Sequence, residues 1–80
     1  MTQAEKLLEK MRRSPRDWRI EDLETIAGRY GLEVRKPGGS HAVFFHRASG
    51  KALSVPAKRP IKPVYTLGFL ALLDEIGGAK

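Results

Sequence analysis

The chain has 80 residues, with 15 Lys and Arg against 9 Asp and Glu, no Cys, and a formal charge of +6. That length allows one small domain with a compact core and little room for a large internal cavity, and the lack of cysteine excludes a disulfide framework, a thiol nucleophile and a thiolate metal site. No apolar run approaches the roughly 18 residues of a membrane span, and the charged N-terminus has no signal-peptide core. We therefore expect a cytoplasmic protein with no membrane role, whose basic surface suits a polyanion, nucleic acid first; an acidic protein partner would suit the same charge.

In chain order, Thr2-Gln3-Ala4-Glu5 has the form of a capping box, in which hydroxyl and carboxylate satisfy the free N–H groups of a helix start. Ala4, Leu7, Leu8 and Met11 then recur as one apolar stripe of a first helix. Ser14-Pro15-Arg16-Asp17 ends it, because an interior proline removes a helical N–H. Trp18 reads as a packing anchor, with base stacking as the alternative. A second helix carries Leu23, Ile26, Ala27 and Tyr30 on one face, has Glu21, Asp22 and Glu24 near its positive end, and stops at Gly31. Those acids are dipole and surface charges; they do not form a metal site.

Leu32–Arg35 alternates as a short strand. A Pro37-Gly38-Gly39-Ser40 turn leads into a second strand, His41–Arg47, and Ala48-Ser49-Gly50 turns the chain into a third, Lys51–Val55. Between Pro56 and Pro63 the connector holds Lys58, Arg59 and Lys62 among three prolines, so it should be stiff and exposed. A last helix runs from Val64, with Pro63 in its first turn, Phe69, Leu72, Leu73 and Ile76 as its apolar face, and Gly77-Gly78 as its stop. The expected fold is α+β in the order α-α-β-β-β-α: one domain over 1–80, with a helical part at 1–30 and a motif-bearing part at 32–76. An antiparallel three-stranded sheet of this kind buries one face under helices and leaves the other open. Strand alternation then puts His41, Val43 and Phe45 on one face and Ala42, Phe44 and His46 on the other.

Chemistry concentrates at Lys36–Phe45. Gly38 and Gly39 admit positive φ and expose backbone N–H groups, Ser40 adds a hydroxyl, and His41 is a residue type that gives or takes a proton near neutral pH. Read without further context, Gly-Gly-Ser is an ordinary turn and a histidine at a strand start is a solvated side chain. The cations Lys58, Arg59 and Lys62 are phosphate contacts or a solvated loop.

Gly39-Ser40-His41 followed by Phe44, then Ser49-Gly50, Val55-Pro56 and Ile61-Lys62-Pro63, resembles the HicA family of bacterial toxins over about Leu32–Ile76. The resemblance implies a fold like the double-stranded-RNA-binding domain and a ribonuclease that cleaves mRNA. It implies His41 as the catalytic residue, and a HicB-like antitoxin as the protein partner that covers the site. The family often has a second histidine where this chain has Ala42, and another where it has Lys58.

On that reading no metal or other cofactor is expected, and His41 takes the proton of an attacking 2′-hydroxyl, leaving a 2′,3′-cyclic phosphate and a 5′-hydroxyl. RNA-binding groups are Lys36, Gly38, Gly39, Ser40, Lys58, Arg59 and Lys62; the general acid is His46, Lys58 or water. Val43 and Phe45, if on the open face, form an apolar patch for a base or an antitoxin segment. Two competing readings use the same fold: a non-catalytic RNA-binding module, and a basic subunit that docks an acidic protein.

Overall fold

The structure, a computed structural model, describes residues 2–58 and 60–77. Its elements are α1 (Gln3–Arg13), α2 (Ile20–Arg29), β1 (Glu33–Arg35), a 3₁₀ turn at Pro37–Gly39, β2 (His41–His46), β3 (Lys51–Pro56) and α3 (Pro63–Glu75). The order and class are those expected from the sequence. Thr2 and Glu5 close the capping box, with Glu5 N–H donating to Thr2 Oγ1 at 3.2 Å and Thr2 N–H to Glu5 Oε1 at 3.0 Å. In α2 the same saving is made once, by Arg19 N–H donating to Asp22 Oδ2. Gly31 leaves that helix at φ 78°, and Leu32 N–H returns to the Ala27 carbonyl at 2.9 Å. Leu32 is thereby held in the helical core, and β1 starts one residue later than its alternation suggested.

The sheet is antiparallel in the order β1-β2-β3, with Val34 opposite Phe44 and His41 opposite Pro56. β2 stops at His46 rather than Arg47, because the Gly50 N–H closes the hairpin on the His46 carbonyl at 2.8 Å. β3 runs one residue further than expected, to Pro56, whose missing N–H is tolerated at a strand end. All helices pack on the face that carries Ala42, Phe44 and Val55, each fully buried. Phe44 meets Phe69 of α3 edge-on with centroids 5.1 Å apart. The opposite face, with His41, Val43, Phe45, Ala52 and Ser54, carries no helix among the described residues.

One further tie holds α3, and one buried group in it is left without a partner. Arg12 of α1 reaches Asp74 near its C-terminus at 2.6 Å, and that hydrogen bond holds the Asp74 carboxyl below its usual range. Thr66 is fully buried, and its hydroxyl has no hydrogen-bond partner among the described residues. A buried hydroxyl without a partner costs about 1–3 kcal/mol of desolvation. Thr66→Val keeps the shape and removes that cost, so its melting temperature is expected to equal or exceed that of the parent. A fall of more than a few degrees would show that the hydroxyl is paired.

Candidate functional site

β2 begins at a corner that three interactions define. Gly38 and Gly39 take φ of 73° and 76°, which a side chain would make strained, and the Gly39 N–H closes the turn on the Lys36 carbonyl at 3.3 Å. Ser40 uses its carbonyl to accept from Ala57 N–H at 3.0 Å, so the exit of β3 is tied to the entry of β2. His41 is exposed, and its Nδ1 lies 3.2 Å from Ser40 Oγ. That contact orients the ring and leaves Nε2 as the nitrogen available to a substrate. Gly39-Ser40-His41 and Val55-Pro56 are therefore neighbours in space, as antiparallel pairing requires.

Beyond Pro56 lies a cleft of about 640 Å³. Lys58, Lys62 and Arg16 supply cations to its wall, Asp17 a carboxylate, and Tyr65 with Pro56, Pro60 and Ile61 the apolar surface. Pro56 belongs both to the cleft and to the pair with His41, whose Cα lies about 5 Å away by antiparallel spacing. His41 thus stands at the cleft's edge without lining it. The opposite wall is built by a long-range contact. Ile61 N–H donates to the Trp18 carbonyl at 2.8 Å, while Trp18 Nε1–H donates to the Ser14 carbonyl at 2.6 Å. Trp18 is half-buried and packs against the core, as an anchor does. Asp17, beside it, takes φ of 65°, a left-handed conformation that Asp tolerates better than most residues.

The residues singled out from sequence do not all converge. Lys58 and Lys62 are exposed at the cleft; Arg59 lies outside the described residues. Lys36 points elsewhere: its Nζ is 2.7 Å from Glu24 Oε2, which fastens the turn to α2 and uses the charge. His46 is at the far end of β2 and on the other face, about 17 Å from His41 by strand rise, with Nδ1 2.7 Å from Ser49 Oγ. It shapes the hairpin and cannot share a phosphate with His41. Arg16, Asp17 and Tyr65 were not singled out. The connector was expected to be exposed, yet Ile61 within it is buried and its N–H is bound to the Trp18 carbonyl, which brings those residues together.

The open face behaves as strand parity requires. Val43 and Phe45 are half-buried there, and the Arg35 guanidinium lies 5.8 Å from the Phe45 ring centroid. Glu33 sits between Arg35 and Arg47, at 3.8 and 2.8 Å, and the Arg47 hydrogen bond lowers its carboxyl pKa. Those two cations are thus partly neutralised, whereas Arg16, Lys58 and Lys62 at the cleft are in no ion pair among the described residues. No three His, Asp or Glu side chains among the described residues group as a metal site would, and no helix among them is long and apolar enough to cross a membrane. Compared with family models, curated proteins and solved structures, the chain has no match.

Proposed function

We propose that this protein is a HicA-like toxin that binds and cleaves mRNA in the cytoplasm, with His41 as its catalytic base and a HicB-like antitoxin as the partner that silences it. One observation carries the reading: the His41–Pro56 pair and the Ser40–Ala57 hydrogen bond join an exposed histidine to a cationic cleft. RNA phosphates would run along Lys58, Lys62 and Arg16, with a base against Tyr65. His41 would accept the 2′-hydroxyl proton as O2′ forms its bond to phosphorus and the P–O5′ bond breaks. The departing 5′-oxygen would take a proton from Lys58 or from water, since His46 is out of reach. The products are a 2′,3′-cyclic phosphate and a 5′-hydroxyl. Incubation with mixed RNA in EDTA tests this: cleavage leaving a cyclic phosphate is expected, and intact RNA would overturn the metal-free mechanism.

A second reading has its own observation: the cleft wall contains cations and a tyrosine but no histidine. An RNA-binding module on this fold would need no more than that. In both readings Lys58 makes a phosphate contact. Lys58→Ala is expected to reduce the slope of log K against log salt by about 0.7 for single-stranded RNA, measured by fluorescence anisotropy. An unchanged slope would remove Lys58 from the interface.

A further inference from the structure

The outer side of α3 is unlike the outside of the other helices. Its core side uses Phe69, Leu70, Leu72 and Leu73, yet Val64 and Leu67 on the other side are also apolar and are 66% and 54% exposed. Ala71 continues the same stripe at i, i+3, i+7. Scattered exposed hydrophobic residues need no explanation, but a stripe along a helix does. Directly beside it runs the outer edge of β3, which has β2 on one side and no described strand on the other. Edge strands are usually guarded by lysine or proline. Here Lys51 and Pro56 guard only the two ends, and Ala52–Val55 between them has neither.

The charges on α3 are reversed with respect to its dipole. Lys62 caps the positive end, while Asp74 and Glu75 crowd the negative end, and the last turn has no basic residue. Each placement is unfavourable for an isolated helix. Arg12 compensates Asp74, but Glu75 has only the exposed Lys51, at 3.3 Å, and Lys62 has no ion-pair partner among the described residues.

We infer that this face is a two-fold interface between two copies of the chain, with β3 pairing antiparallel to its own copy and α3 packing antiparallel to its own copy. A single axis serves both elements. The midpoint of β3 lies between Leu53 and Ser54, and the Leu53 methyl groups lie 3.7 and 3.8 Å from where a Cβ on Gly68 would stand. Gly68 is near the middle of α3, so strand and helix share one centre. An axis at Leu53 sets Lys51 opposite the copy's Val55 and Ala52 opposite the copy's Ser54, so facing side chains share a face of the sheet and Pro56 falls just past the end of the ladder. It also sets Glu75 and the negative helix end beside the copy's Lys62 and positive end, which answers the reversed polarity twice over. Gly68 and Ala71 keep the helices' flanks small enough for close approach. This interface does not depend on the ribonuclease reading.

Sedimentation equilibrium of the full chain from about 10 µM to 1 mM tests the inference. The expected result is a concentration-dependent rise from 8.9 kDa towards twice that mass. Leu67→Glu should hold the protein at the monomer mass with an unchanged circular dichroism spectrum, because Leu67 lies outside the core. Glu75→Lys should weaken association at least tenfold, and Glu75→Lys with Lys62→Glu should restore it, since the exchange rebuilds the same pair with the signs reversed. A monomer throughout the range would overturn the inference, and so would a dimer that Leu67→Glu leaves intact. Failure of the double exchange to rescue would overturn the antiparallel helix arrangement.

Discussion

Replacing His41 with alanine is expected to abolish RNA cleavage while leaving the fold and RNA binding in place. A positioned general base typically contributes about 10²–10⁴-fold to a rate, and no second histidine is near enough to substitute. His41 is exposed at the first position of β2, and its main contact is the 3.2 Å approach to Ser40 Oγ, so its side chain supports little of the core. The variant should therefore melt with the parent and bind RNA in the cleft with similar affinity. Single-turnover cleavage of a labelled RNA, read beside anisotropy for binding, separates the two effects. Undiminished cleavage by His41→Ala would remove His41 from the chemistry. Absent cleavage by the parent, with intact and salt-dependent binding, would favour the RNA-binding module and draw attention to Ala42 and Lys58, where the resembled family often has histidines.

Phe44→Ala and Phe45→Ala should differ sharply, although the residues are adjacent. Phe44 is fully buried against Phe69, and truncating a buried phenylalanine costs about 3–5 kcal/mol. An 80-residue domain has about 4–12 kcal/mol in total, at roughly 0.05–0.15 kcal/mol per residue. Phe44→Ala is therefore expected to be largely unfolded at 37 °C, or to melt at least about 12 °C lower, since each kcal/mol is worth about 4–8 °C at this size. Phe45 faces the open side, half-buried under Arg35, and its loss should cost about 1 kcal/mol or less. Its effect should appear instead in RNA or partner binding, if the Val43–Phe45 patch receives a base or an antitoxin segment. Equal melting temperatures for the two variants would mean that the parity of β2 is wrong. A folded Phe45→Ala with unchanged binding to both would discard the patch as a recognition surface.

Much of the frame was legible because its causes are local. The Thr2–Glu5 capping box, the stripes of α1 and α2, the stop at Gly31 and the alternation of β2 each follow from hydrogen bonds or periodicities within a few residues. The same locality placed positive φ at Gly38 and Gly39 and separated Phe44 from Phe45. The errors at strand ends were single residues, decided by which carbonyl a flanking N–H could reach: Ala27 for Leu32, His46 for Gly50.

What the sequence by itself determined, then, is the order of elements, the buried face of each, and the small set of residues able to do proton or phosphate chemistry. Only the tertiary structure decided which of those residues meet. Lys36 looked like part of the site until its charge was found 2.7 Å from Glu24, and His46 was removed from it by the length and parity of one strand. Arg16, Asp17 and Tyr65 joined it because the Trp18–Ile61 hydrogen bond lays the connector against the α1–α2 loop. The outward stripe of α3 became visible only when the core had taken its other side. The physical reason is one of range: helix and strand signals arise from neighbours along the chain, whereas a cleft or an interface is made by segments far apart in sequence, whose contact no local pattern records.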